Sequence, residues 1–116
     1  MKNEICNAKI YEVTLTMADH GCLTFYIFIE GKSFGCGIGG YWIGHGYLGS
    51  DHFDGLGKGL EVMMKIMNVV GVEKWEDLKG KYVRFVDPGL GGSVTKIGNI
   101  IENKWVDIKE EFSKGD

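Results

Sequence analysis

The chain has 116 residues, the length of one domain, and its composition is that of a folded globular protein, with 44% hydrophobic and 25% charged residues. No stretch approaches the roughly 18 consecutive apolar residues of a membrane-spanning helix, which argues against an integral membrane protein. The formal net charge of −3 argues against a protein that coats DNA or RNA, because binding of these polymers depends on a basic surface.

The chain start and the cysteines both favour a cytoplasmic protein. Residues Met1 to Cys6 contain neither an apolar run nor a small-residue cleavage site, so no signal peptide is predicted. The three cysteines, Cys6, Cys22 and Cys36, are odd in number and lack metal-site spacing, which favours free buried thiols. We therefore expect a single cytoplasmic domain over residues 1–116, without a metal or cofactor.

The first third of the sequence predicts a β-hairpin followed by a third strand. Apolar residues alternate from Lys9 to Met17, with Tyr11 and Val13 expected on one face. A turn cluster at Ala18–Gly21 precedes a second strand over Cys22–Glu30, and a third runs from Ser33 to Ile43.

Glycine is concentrated in this region, with 11 of the 19 glycines between Gly31 and Gly59. The segment Gly35–Gly40 matches the dinucleotide pattern G-x-G-x-x-G, but the residues after it cannot open the helix that this pattern requires. We interpret the glycines as one bare face of the third strand, open to a packed helix, a neighbouring ring or a ligand.

A major helix is predicted over about Leu56–Val70, with Gly71 as its left-handed cap. Leu56, Leu60, Met63, Met64 and Met67 form the expected core stripe, and Val62, Ile66 and Val69 form a second stripe beside it. A helix that is apolar around most of its circumference is buried on two sides, so we expect the second side to be covered by another copy, as a homodimer.

The remaining sequence predicts a helical turn over Glu73–Leu78, strands over Lys81–Asp87 and Ser93–Ile101, and a short strand at Trp105-Val106. Asp107 is expected to cap a last helix, with Ile108 and Phe112 facing inward. The whole pattern predicts an α+β fold: antiparallel sheet packed on one long apolar helix, with a short C-terminal helix.

The hairpin over Lys81–Ile101 is the best candidate for a binding site. If Asp87 pairs with Ser93, Arg84 lies opposite Lys96 and Tyr82 lies opposite Gly98. A planar base could then stack on Tyr82 over the glycine while phosphates reach the two cations. The alternative is a solvated strand face with a glycine for packing. On the first reading Tyr82 and Arg84 are surface residues, so replacing both by alanine should abolish ligand retention and leave the melting temperature nearly unchanged.

Two further kinds of site are less well supported. The three histidines, with Asp19, Asp51 and Asp54, lack the spacing of a metal motif. A nucleophilic triad has no motif to mark it, which leaves a small hydrolase using His45 and His52 as an alternative to a binding protein.

Several stretches of the chain resemble a family of small phage proteins, the Thoeris anti-defence proteins. These stretches are Asp19–Phe25, Gly37–Tyr41, Gly71–Arg84, Ile97–Asn99 and Lys104-Trp105. The resemblance implies a homo-oligomeric α+β protein of the infected bacterial cytoplasm that binds a cyclic ADP-ribose-type immune signal and sequesters it without cleaving it.

The resemblance implies that Tyr82 matches the aromatic ring that binds adenine in the family, and that Arg84 matches a basic side chain that binds phosphate. We add Lys96, Gly98 and Tyr41 as candidate binding residues. The chain has one arginine against 12 lysines, so lysines must supply any further phosphate contacts. A protein-binding inhibitor of a host defence factor is the other alternative.

Overall fold

The computed structural model describes residues 3–114, which form one seven-stranded antiparallel sheet and two α-helices. The α+β class is therefore as predicted. The strands are β1 (Ile5–Asp19), β2 (Cys22–Glu30), β3 (Gly35–His45), β4 (Asp54–Gly55), β5 (Tyr82–Val86), β6 (Lys96–Asn99) and β7 (Trp105–Asp107). Their order across the sheet is β4-β3-β2-β1-β5-β6-β7. The helices are α1 (Gly57–Val70) and α2 (Ile108–Ser113), and a 3-10 helix spans Trp75–Leu78.

The predicted β1–β2 hairpin closes through a two-residue turn. Asp19 pairs with Cys22, and His20 and Gly21 between them have φ values of 53° and 79°. Positive φ at both central residues is the geometry that matches the twist of the flanking strands in a tight hairpin.

A bulge in β1 changes one of the predicted faces. Ile10 pairs with Ile29 and Glu12 with Phe28, so Tyr11 is an extra residue in β1. The Tyr11 ring contacts Phe28, with ring centroids 6.0 Å apart, whereas Val13 pairs with the buried Ile27. The prediction that Tyr11 and Val13 share a face was therefore wrong, because an inserted residue reverses the alternation.

One face of the sheet, here called the inner face, carries the core. Ile10, Ile27, Ile38, Val83 and Ile97 point to this face, and each is at most 1% exposed. Val62, Ile66 and Val69 of α1 belong to the same buried cluster. The opposite face is called the outer face and includes Lys9, Phe28, Gly37 and Tyr82.

Helix α1 ends as predicted, with Gly71 in the left-handed region at φ 93°. Its buried side differs from the prediction, because the second stripe, Val62, Ile66 and Val69, lies in the core together with Met63. Leu60 and Met64 of the predicted core stripe are 65% and 70% exposed. Both stripes satisfy helical periodicity, so only packing could choose between them.

Neighbouring aromatic rings lie against two glycines of the glycine-faced strand, Gly37 and Gly40. A β-carbon at Gly37 would lie 2.9 Å from the Phe28 ring, and one at Gly40 would collide with the Tyr26 hydroxyl. The Tyr26 and Phe28 rings stack with centroids 5.5 Å apart. A neighbouring ring therefore lies against the glycine face at these two positions, whereas Gly35 remains exposed.

The three cysteines are free thiols, as predicted, but each is half-buried rather than buried. Burial raises the pKa of the Cys36 thiol. Among residues 3–114, no helix combines the length and the apolar character that a membrane span requires.

Candidate binding site on the outer face

Strands β5 and β6 pair two residues away from the register assumed from the sequence. Arg84 lies opposite Gly98, and Lys96 lies opposite Asp107 of β7. The expected pairing of Arg84 with Lys96 was therefore wrong. A slip of two residues keeps each side chain on its face, so Tyr82 and Arg84 still share the outer face.

The space above Gly98 is filled by an aromatic ring from the neighbouring strand. A β-carbon at Gly98 would lie 2.6 Å from two ring carbons of Trp105. The Arg84 guanidinium carbon and the Lys96 Nζ lie 5.0 and 5.5 Å from the centre of that ring, at cation–π distance. Trp105 thus occupies the position that the sequence analysis left for a ligand base.

The Arg84 side chain donates two hydrogen bonds to backbone carbonyls of the turn that follows β6. Its Nε donates to the carbonyl of Asn99 at 2.7 Å, and its Nη2 donates to the carbonyl of Glu102 at 2.8 Å. The side chain is half-buried. Two of its five N–H donors therefore bind the 99–102 turn, so we expect that replacing Arg84 lowers the stability of the fold.

Tyr41 lies apart from the other predicted site residues. Its ring stacks on Phe112 of α2, with centroids 4.7 Å apart, and it packs against the core on the inner face. Burial and the charge of Asp107 raise the pKa of its hydroxyl. The structure does not bring Tyr41 to the outer face where Tyr82 lies.

Tyr82 lies beside a cleft that the sequence analysis missed. The register places Lys9 between Tyr82 on β5 and Glu30 on β2. The cleft is open, has a volume of about 310 Å³, and is lined by Asn7, Ala8, Lys9, Glu30, Gly31, Lys32 and Tyr82. We call it the Tyr82 cleft.

Two lysines give the Tyr82 cleft its basic character. The Lys9 Nζ lies 6.0 Å from the centre of the Tyr82 ring, and Tyr82 is 59% exposed. Lys32 lies in the β2–β3 turn, which is closed by a hydrogen bond of 3.0 Å from the Gly31 N–H to the Phe34 carbonyl. Neither lysine forms an ion pair with any of the residues that the structure describes.

The lysines of the Tyr82 cleft could have been found only with the pairing of β1, β2 and β5 known. They lie 23 residues apart in sequence and are distant from Tyr82, so no local spacing marks them. Glu30 also lines the cleft and would repel an anion placed against it, but its carboxylate can accept hydrogen bonds from hydroxyl or amino groups of a ligand.

The histidines lie at the far end of the sheet, where His20 and His52 are exposed and His45 is half-buried. His20 and His52 contact the carboxylates of Asp19 and Asp54 at 2.9 and 3.0 Å. The His45 ring packs edge-on against Tyr47. Over residues 3–114, no three His, Cys, Asp or Glu side chains converge closely enough to hold a metal ion.

The Tyr82 cleft combines the exposed ring of Tyr82, the ammonium groups of Lys9 and Lys32, the Asn7 amide and the Glu30 carboxylate. Such a set can stack on a planar group and attract a negatively charged one, which suits a small anionic ligand with an aromatic part. Comparisons with protein-family models, curated proteins and solved structures found no match to this chain.

Proposed function

We propose that this protein binds a small anionic nucleotide at the Tyr82 cleft and sequesters it without cleaving it. The observation that carries this proposal is the Lys9 ammonium beside the exposed ring of Tyr82, with Lys32 on the same cleft. A base would stack on Tyr82, and phosphate oxygens would accept hydrogen bonds from Lys9 and Lys32.

The proposed roles differ from those expected from the sequence. Arg84 and Lys96 lie against the Trp105 ring. We therefore expect them to add positive charge to the surface beside the cleft without contacting phosphate. The volume of about 310 Å³ is at the small end of the range for ligand sites. The base and adjacent phosphate would occupy the cleft, and the rest of the nucleotide would lie outside it.

The biological role that we propose is that of a phage anti-defence sponge in the cytoplasm of the infected bacterium. The support is the resemblance of the stretches around Asp19–Phe25 and Gly71–Arg84 to the Thoeris anti-defence proteins. The ligand would then be a cyclic ADP-ribose-type signal, and the protein would act by stoichiometric binding rather than as an enzyme.

Self-association is part of the same proposal. Leu60 and Met64 on the exposed side of α1 border a groove of about 460 Å³ whose other residues include Glu61 and Lys65. A second copy related by a twofold axis would pack the Leu60–Met64 side of α1 against the same side of the other copy, because a twofold contact is self-complementary. Helix α1 would then pack between its own sheet and the second copy.

A retention assay tests the binding proposal. The protein is incubated with cyclic ADP-ribose isomers and cyclic oligonucleotides and filtered, and the free species are quantified by mass spectrometry before and after heat denaturation. We expect a signal that disappears and returns intact on heating. Tyr82→Ala and the Lys9→Gln, Lys32→Gln double variant should each lose retention by at least about tenfold.

The matched control is Lys109→Gln, which removes one exposed lysine on α2, away from the cleft. It should retain ligand as the unmodified protein does. If nothing is retained, the nucleotide proposal is wrong. If ligand disappears into products, the protein is an enzyme, and His52 with its Asp54 partner becomes the first position to change.

A further inference from the structure

An apolar groove lies at the end of the β1–β2 hairpin, remote from the Tyr82 cleft. It has a volume of about 740 Å³, and its apolar walls come from Leu15, Met17, Leu23, Tyr47 and Leu48. We call it the tip groove. Leu15 lies on the inner face of the sheet, opposite the buried Phe25, yet it is 50% exposed.

The far wall of the tip groove is a loop that is fixed to the hairpin. The Gly46 N–H donates to the Gly21 carbonyl at 2.9 Å. A β-carbon at Gly21 would lie 2.7 Å from the Gly46 carbonyl oxygen and 3.1 Å from the Tyr47 ring, so the two segments touch. The groove is therefore formed before any partner arrives, with less ordering cost on binding.

Leu48 is the most unusual residue of this surface. It is 91% exposed at the edge of an apolar groove and next to Tyr47, which is 58% exposed. A single exposed leucine needs no explanation, but exposed apolar side chains that border one concave surface mark an interaction site.

The segments that form the tip groove carry aspartates but no lysine or arginine. Residues 10–31 and 33–57 contain no lysine or arginine. Asp19 is the last residue of β1, Asp51 lies in the loop that carries Leu48, and Asp54 directly follows that loop. The side chains of Asp19 and Asp54 are 72% and 64% exposed and contact His20 and His52. An apolar groove with an acidic rim is complementary to an apolar segment flanked by basic residues.

We propose that the tip groove binds an amphipathic segment of a partner protein, with leucine-like anchors in the groove and lysine or arginine at the acidic rim. A second copy fits less well, because contact between two tips brings aspartates of like charge together. An anionic lipid surface or a nucleotide meets the same repulsion. This site is independent of the Tyr82 cleft.

The test uses three labelled helical peptides and fluorescence anisotropy. One is built from leucine and lysine, one from leucine and glutamate, and one from serine and lysine with the same charge as the first. We expect the leucine–lysine peptide to bind at least about tenfold more tightly than either of the others, because the site needs both apolar and basic contacts.

Two variants locate the binding on the protein. Leu48→Asp should weaken the leucine–lysine peptide by at least about tenfold, and Asp51→Lys should weaken it and reduce the salt dependence of binding. Leu90→Asp is the matched control, since Leu90 is also a fully exposed loop leucine but lies in the β5–β6 connection. It should bind as the unmodified protein does.

Several results would overturn the proposal. They are equal binding of the leucine–glutamate peptide, no binding of the leucine–lysine peptide, or equal losses in Leu48→Asp and Leu90→Asp. Self-association that Leu48→Asp abolishes would assign the groove to a second copy instead. Because Tyr82 and the cleft lysines are unchanged in these variants, nucleotide retention remains a separate measurement.

Discussion

Trp105 covers Gly98 so closely that a β-carbon at position 98 would lie 2.6 Å from two carbons of the indole ring. The two residues are paired on adjacent strands β6 and β7. The ring is in turn flanked by Arg84 and Lys96. Gly98 therefore leaves room for the Trp105 ring, and the cations of Arg84 and Lys96 lie against this ring of the protein itself.

Replacing Gly98 by alanine should destabilise the protein by about 1–3 kcal/mol, because the added methyl group must displace the Trp105 ring. Urea unfolding measures this change. Gly55→Ala is the control, since nothing lies within 4 Å of a β-carbon there, and it should change the free energy of unfolding by no more than about 0.5 kcal/mol. Equal stability of the two variants would mean that the ring can move away without cost.

Arg84→Ala should lower the free energy of unfolding by about 1–3 kcal/mol, because two carbonyls of the 99–102 turn lose a charged donor. The sequence alone predicts a nearly unchanged melting temperature for the Tyr82→Ala, Arg84→Ala double variant, whereas the two hydrogen bonds of Arg84 predict a lower one. Arg84→Lys should recover little of the loss, since an ammonium cannot reproduce the two-donor geometry. If Arg84→Ala were as stable as Lys109→Ala, Arg84 would again be a candidate phosphate ligand.

The buried side of α1 can be checked with two isoleucines. Ile66 is fully buried and Ile101 is 85% exposed. Ile66→Ala should cost about 2–5 kcal/mol of stability, and Ile101→Ala should stay within about 0.5 kcal/mol, as thermal or urea unfolding would show. Similar values for the two would contradict the placement of α1 in the core.

Sedimentation velocity tests whether the exposed side of α1 joins two copies. We expect the unmodified protein to sediment as a dimer and the Leu60→Asp, Met64→Asp double variant as a monomer, because burying two added carboxylates is unfavourable. Leu90→Asp should remain dimeric. A monomeric unmodified protein at all concentrations would exclude this interface.

An ion pair between the two helices predicts a pH dependence. Lys65 Nζ lies 2.7 Å from Glu111 Oε1, and this hydrogen bond holds the pKa of Glu111 below its usual value of 4.5. A lowered pKa in the folded state stabilises the fold above about pH 4.5, and this contribution is lost as the pH falls through the lowered value.

Melting temperatures of the unmodified protein and of Glu111→Gln should therefore differ most near pH 7 and converge as the pH falls through the lowered pKa of Glu111. Glu110→Gln is the control, because Glu110 is an exposed neighbour on the same helix. Its difference from the unmodified protein should not follow this pH profile. A constant difference for Glu111→Gln would show that the ion pair does not contribute.

Local sequence patterns determined most of the elements. The hairpin turn was predicted at Ala18–Gly21 and is formed by its last two residues, and the caps at Gly71 and Asp107 are as predicted. Asp107 Oδ1 accepts a hydrogen bond from the Glu110 N–H at 3.1 Å. These features depend on the conformational preferences of a few consecutive residues, which the sequence displays directly.

Only the tertiary structure shows which residues face the core and which residues line the candidate site. Both stripes of α1 follow helical periodicity. Packing in the core buries Val62 and Ile66 and leaves Leu60 and Met64 exposed. The register of β5 and β6 placed Gly98 beside Arg84 and beneath Trp105. The pairing of β1 with both β2 and β5 brought Lys9 to Tyr82. Local preferences act over a few residues, whereas strand register and helix orientation are set by which apolar surfaces fit together across the whole core.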